Sequence, residues 1–170
     1  MISTSHTHVV RPRWIARARA VIASPRAAFK KLGSFDMPIA FKPSAWRQSP
    51  YAILGVAAIA ADTEAEADRM ATSADLHFAR RAVGQYGPLA SPDEAAAYPY
   101  TPIDRQRIAH NRKRLIAGSP AQVRERIAAL VDVTKADEVM ITTMVFDHAA
   151  RKHSYELLAK EFGLTRTDIQ

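Results

Sequence analysis

Histidine and cysteine are the residues whose spacing most often reveals a reactive or metal-binding site. The chain has no cysteine, which excludes a thiolate nucleophile, a cysteine-ligated zinc ion and an iron–sulfur cluster. His77 and His110 are isolated in the sequence, and His148 and His153 are five residues apart. A helical zinc site needs two histidines four residues apart. The sequence therefore predicts no metal site.

The start of one helix offers a second kind of chemistry. Ser119, Pro120 and Gln122 stand where an N-cap, a first helical residue and the third residue of a capping box are expected. The free N–H groups at such an N-terminus could hold an anion. Alternatively, Ser119 caps the helix in the ordinary way, and this is the interpretation we favour.

Two segments are typical of β-strands. Residues 51–61, YAILGVAAIAA, are apolar at almost every position, as in a strand that helices cover on both faces. Residues 138–145, EVMITTMV, are rich in β-branched side chains. Helices are predicted over residues 63–82, 104–116 and 148–162, and from Pro120 onward. The alternation of strands and helices predicts a parallel α/β fold. Because two parallel strands cannot cover the apolar faces of these helices, the sheet is expected to be part of a larger one.

Charge divides the chain of 170 residues into two parts. Residues 1–50 contain nine lysines and arginines and one acidic residue. Residues 51–170 contain fifteen lysines and arginines and sixteen acidic residues. Residues 1–40 show no strand pattern, and only residues 13–32 could be weakly helical. We therefore expect a basic N-terminal segment, disordered or weakly helical, followed by a globular body. The longest apolar run, residues 52–61, is about half of a membrane span, which favours a soluble, cytoplasmic protein.

Five sequence blocks carry a resemblance to a known family. They are FKPS, SPYAILGVAAIAADTEAEADRMATS, GPL, AGSPAQVRERIAAL and ADEVMITTMVFDHAARKHSYELLAKEF. In their order and spacing over residues 41–162 they resemble the C-terminal part of the bacterial luciferase-like flavin-dependent monooxygenases. The resemblance implies a (β/α)8 TIM-type barrel. Residues 51–61 would be its seventh strand, 138–145 its eighth, and 84–117 the excursion between them.

The resemblance also implies a site and a reaction. The active sites of such barrels lie at the carboxyl ends of the strands, where it places Asp62, Met144, Phe146, Asp147 and His148. Ser119 would open a helix at the same rim. His148, next to Asp147, could act as an acid or base or hydrogen-bond a substrate or flavin oxygen. Alternatively, Asp147 caps a helix and His148 lies in its first turn, which we favour. Met144 is more typical of core packing than of a cofactor site.

Residues 1–40 depart from the family. They contain no Gly/Ser turn that could hold the flavin phosphate, so no phosphate-binding residue can be assigned. The family would use reduced FMN and O2 on a small organic substrate. We expect residues 41–170 to be the C-terminal part of such a barrel, inactive alone, with a partner chain completing it. The alternatives are a non-enzymatic, frame-shifted fragment, or a module whose basic segment binds nucleic acid or an anionic membrane, for which the sequence gives little support.

Overall fold

The computed structural model describes residues 8–10 and 42–164. The predictions for the rest of the basic N-terminal segment, including the weak helix over residues 13–32, lie outside the described residues. The described elements, in chain order, are β1 (His8–Val10), β2 (Ile53–Ala60), α1 (Glu64–Ala82), α2 (Pro92–Ala97), α3 (Pro102–Arg112), β3 (Leu115–Gly118), α4 (Pro120–Thr134), β4 (Glu138–Thr142) and α5 (His148–Glu161).

The four strands form one open sheet in the order β1-β4-β2-β3. Strand β2 is parallel to both of its neighbours, with Ala57 opposite Thr142 of β4 and Ala60 opposite Gly118 of β3. Strand β1 pairs with β4 in the antiparallel direction. The predicted mixed α/β class is confirmed, and the three parallel strands are consistent with part of a TIM-type fold.

Two strands contradict the sequence-based expectations. Strand β3 begins inside residues 84–117, which were predicted to be an excursion, and includes residues 115 and 116, which were predicted to be helical. The prediction of only two parallel strands was therefore wrong. Strand β1 lies in a segment that was predicted to contain no strand. Both strands are short, at four and three residues. Such runs are too short to show the apolar alternation that identifies a strand. Each becomes a strand through its backbone pairing, since β3 pairs with β2 and β1 pairs with β4.

Strand β2 is the buried centre of the sheet. The side chains of Ala58, Ile59 and Ala60 are fully inaccessible to solvent. Successive side chains of a strand face opposite sides, and β2 uses both sides. Ile59 packs in a cluster with Ala67 and Met70 of α1, whereas Ala58 and Ala60 pack in a cluster with residues of α4 and α5. The uninterrupted apolar run in the sequence is therefore explained by helices on both faces.

Three helices begin with the same local sequence pattern, a Ser or Thr followed by Pro. The N-caps are Ser91, Thr101 and Ser119, each accepting a backbone N–H from the third helical residue. Only the Ser119 signal was used in the sequence analysis, although SPDE and TPID are equivalent to SPAQ. Helix α2 and the start of α3 therefore occupy the predicted excursion. Of the described helices, none is long and apolar enough to cross a membrane.

A buried ion pair fixes α3 against α1. Arg112 Nε lies 2.9 and 3.0 Å from the two carboxylate oxygens of Asp75, and Arg112 Nη2 lies 2.8 Å from Asp75 Oδ2. Arg112 also reaches the Asp68 carboxylate at 3.4 Å. Burial raises the pKa of Asp75 above its ordinary value, and the adjacent Arg112 opposes this rise. The carboxylate thus depends on its partner because it has lost most of its contact with water.

We predict that Arg112→Met destabilises the fold by about 3 kcal/mol, because it leaves the Asp75 charge buried without its partner. The double variant Arg112→Met/Asp75→Leu should recover at least half of that loss, since it removes both charges. Urea unfolding followed by circular dichroism measures both changes. A loss of less than about 0.5 kcal/mol for the single variant would mean that the pair behaves as an exposed one.

The raised pKa of Asp75 also gives a pH dependence. The folded chain binds this proton more tightly than the unfolded chain does, so the contribution of Asp75 to stability falls as the pH rises from about 3.8 toward the raised value. We expect Asp75→Asn to remove this contribution. The difference in unfolding free energy between wild type and variant, measured at several pH values across that window, tests it. A difference that does not change with pH contradicts the assignment.

Candidate functional site

The carboxyl ends of the three parallel strands lie at one edge of the sheet, which we call the rim. Asp62 follows β2, Ser119 follows β3, and residues 143–148 follow β4. The rim therefore contains every residue that the sequence analysis singled out for a site. That these residues act on a substrate or cofactor stays a prediction.

Asp147 is the N-cap of α5. Its Oδ1 accepts a hydrogen bond of 2.7 Å from the backbone N–H of Ala150. His148 is exposed in the first turn, and its Nδ1 lies 2.9 Å from Nη2 of Arg151. Because a guanidinium can only donate, Nδ1 accepts this bond, and the ring proton lies on Nε2. In this state Nε2 of His148 is a hydrogen-bond donor and not an acceptor.

Ser119 forms a complete capping box. Its Oγ accepts from the backbone N–H of Gln122 at 3.4 Å, and its own N–H donates to Gln122 Oε1 at 2.8 Å. Gln122 Nε2 then donates to the Glu64 carboxylate at 3.0 Å. A bound anion would compete with Ser119 for the Gln122 N–H and would face the negative charge of Glu64. The structure therefore has the capping geometry that the sequence analysis favoured.

The other rim side chains differ in exposure. Met144 is half-buried, Val145 is buried in the cluster with α1, and Phe146 is about half exposed. Residues 143–145 thus alternate between buried and partly exposed positions, although β4 has already ended at Thr142. Of Met144 and Phe146, Phe146 exposes the larger apolar side chain at the rim.

Asp62 has a partner that the sequence analysis missed. Its Oδ2 lies 3.1 Å from Nε2 of His153 in α5, and His153 Nδ1 lies 3.9 Å from the Glu156 carboxylate. The sequence analysis considered His153 only for its spacing from His148, and Asp62 is 91 residues away. No local spacing could have linked the two. The contact joins the turn after β2 to the middle of α5 and adds a second histidine near the rim.

Hydroxyl groups attach the rim to β2. Strand β4 pairs with β2 only as far as Thr142. Beyond that point Thr143 Oγ1 donates to the Ala58 carbonyl at 2.8 Å, and the Ala60 N–H donates to Ser154 Oγ at 2.9 Å. The Tyr155 hydroxyl accepts from the Thr143 N–H at 3.1 Å. Side chains thus replace the strand partner that β2 loses where β4 diverges. Thr143 was interpreted only as a strand residue, and its role in this network was missed.

Comparison with known proteins finds related sequences over about 70% of the chain. The Bacillus subtilis uncharacterized protein YceB is 39% identical over 122 residues, 72% of this chain, and an Escherichia coli luciferase-like monooxygenase is 33% identical over 117 residues, 69% of this chain. The resemblance to the luciferase-like monooxygenases is confirmed. The chain spans only 37% and 35% of the lengths of these two relatives. No family model matches the chain.

A solved structure agrees with the sequence matches. The crystal structure of apo-MsnO8 aligns with a TM-score of 0.64 at 31% identity, over 75% of this chain and 39% of that one. The described fold is therefore similar to part of a larger protein. The luciferase-like assignment thus rests on sequence, and the fold is consistent with it.

Two fully buried serines allow the hydroxyl network to be tested. Ser154 accepts the Ala60 N–H, whereas Ser73 Oγ is buried without a hydrogen-bond partner. We predict that Ser154→Ala destabilises the fold by about 1–3 kcal/mol, since the buried N–H of Ala60 loses its acceptor. Ser73→Ala removes an unsatisfied group and should be neutral or stabilising. Thermal or urea unfolding measures both. Equal losses for the two variants would contradict the assigned role of Ser154.

Proposed function

We propose that this chain supplies the C-terminal part of a luciferase-like, flavin-dependent monooxygenase. The observation that carries the proposal is the 33% identity to a luciferase-like monooxygenase over 69% of the chain. The parallel strands that form the rim support it, because the active sites of TIM-type barrels lie at this end of the strands. In the complete barrel, β2 and β4 would be the seventh and eighth strands, as predicted from the sequence, and the short β3 would be an insertion that pairs only with the carboxyl half of β2. Cytoplasmic placement also stays a prediction.

The described residues do not fit a flavin phosphate. At the rim, the N-terminus of α4 is closed by the Ser119–Gln122 capping box and faces Glu64. The N-terminus of α5 is capped by Asp147, which is itself negatively charged. Neither helix start offers a favourable place for a phosphate, because the carboxylates would repel it. We propose that the complementary part of the barrel, supplied by another polypeptide, holds the phosphate of FMN.

His148 is our candidate for contact with a ligand at the rim. With Nδ1 engaged by Arg151, the Nε2–H is the group that can donate to an oxygen of a substrate or flavin. Asp147 caps α5 and so fixes the position of His148 in the first turn of this helix. Asp62, Met144 and Phe146 would contribute the surrounding surface. This role for His148 depends on strands supplied by the rest of a barrel.

The test combines this chain with the part of the E. coli relative that precedes the matched segment. Alone, the chain should not quench FMN fluorescence at low micromolar concentration, because the described residues offer no favourable phosphate site and the sequence of residues 1–40 has no Gly/Ser turn. Co-expressed with the complementary segment, it should co-purify with it, and the pair should bind FMN. The E. coli segment alone is the control and should bind FMN more weakly than the pair.

Three outcomes would contradict the proposal. Clear quenching by this chain alone would show that its own residues hold the flavin. Failure of the two polypeptides to co-purify would contradict the completion of a barrel. If His148→Gln left both flavin affinity and turnover of the pair unchanged, His148 would have no role at the rim.

A further inference from the structure

A groove of about 520 Å³ lies between α1 and α3, away from the residues assigned to the rim. We call it the α1–α3 groove. Phe78 and Ala82, one helical turn apart on α1, and Ala109 of α3 give it an apolar floor. Phe78 is 40% exposed and packs edge-on against the ring of His77, with the ring centres 5.6 Å apart. An exposed aromatic side chain in a concave site is typical of an interaction surface.

The walls of the α1–α3 groove are basic. Arg107 of α3 and Lys113, which follows α3, give it positive charge, and none of the residues that line it is acidic. In the described part of the chain, Lys113 has no ion pair, and Arg107 has only a 3.9 Å contact with Asp104. Arg112, in contrast, is committed to Asp75 beneath the surface. The groove therefore presents positive charge beside an apolar floor, and the carboxylates among the described residues leave that charge largely unbalanced.

We propose that the α1–α3 groove binds an acidic amphipathic helix of a partner protein. The apolar face of such a helix would cover Phe78, Ala82 and Ala109, and its acidic side chains would pair with Arg107 and Lys113. A groove between two helices accepts a third helix in the common mode of peptide recognition. The residues of the α3 side that line the groove run from Gln106 to Lys113, about two helical turns. This length matches about two turns of a bound helix.

Charge and shape favour this occupant over other anions. A long nucleic acid would extend beyond the groove over residues 51–170, whose sixteen acidic residues and fifteen lysines and arginines leave no net positive charge to hold its phosphates. A flat membrane surface does not enter a groove between helices. A short helix with acidic and apolar faces satisfies the walls and the floor together.

Fluorescence polarisation provides the test. The probe is a fluorescein-labelled peptide of two heptads, with leucine on one helical face and glutamate on the other. A peptide of the same composition in scrambled order, a labelled oligothymidylate and phosphatidylglycerol vesicles are the comparison ligands. We expect the wild-type chain to bind the amphipathic peptide at least about tenfold more tightly than the scrambled peptide. Binding should weaken as salt is added.

Charge reversal at the groove wall is compared with charge reversal elsewhere. Arg107→Glu/Lys113→Glu should weaken peptide binding by about tenfold or more, and Phe78→Ser should weaken it as well. Arg126→Glu, at an exposed position on α4, should change binding by less than about twofold. Circular dichroism verifies that each variant is folded. Four results would overturn the proposal. The amphipathic peptide does not bind, or the scrambled peptide binds equally well. Alternatively, oligothymidylate or the vesicles bind more tightly than the peptide, or the groove and control variants have equal effects.

Discussion

The fold depends on satisfying the backbone polar groups in the carboxyl half of β2, because Ala58, Ile59 and Ala60 are buried between helices on both faces of the sheet. A buried N–H or carbonyl without a partner costs about 1–3 kcal/mol, so this half of the strand needs partners at both of its edges. Strand β4 supplies one only as far as Thr142. The hydroxyls of Thr143 and Ser154 then bond to Ala58 and Ala60. These two contacts close the carboxyl half of the central strand on the side that β4 leaves.

The same contacts determine where the candidate site lies. Thr143 begins the segment that leads to Asp147 and His148, and Ser154 fixes the next turns of α5 against β2. The Asp62–His153 contact adds a polar link between α5 and the turn after β2. Residues at a site must be held by neighbours that are themselves fixed. Here a buried strand and a docked helix hold the rim, so its geometry follows from the packing of β2 rather than from the loops alone.

The sequence predicts most of what local patterns determine. Strand β2 is visible in its apolar run, and Ser119 and Asp147 are visible as N-caps because their hydrogen bonds reach only three residues ahead. Strand β3 was missed because LIAG is too short to have a period, and the Asp62–His153 contact was missed because nothing local links distant residues. The start of α3 could have been found, since Thr101-Pro102 repeats the Ser119-Pro120 signal. The rest of the rim depends on long-range pairing, which one sequence does not reveal.

Amide hydrogen exchange of β2, followed by NMR in the intact chain, tests the central claim most directly. The account predicts that the Ala58, Ile59 and Ala60 amides exchange among the slowest in the chain, at rates set by global unfolding. It also predicts that Ser154→Ala accelerates exchange at Ala60 more than at Ala58, since only the Ala60 N–H donates to Ser154. If the Ala60 amide exchanges as fast as the exposed amides of Tyr86 and Gly87, or is unaffected by Ser154→Ala, β2 is not held at its carboxyl end by α5.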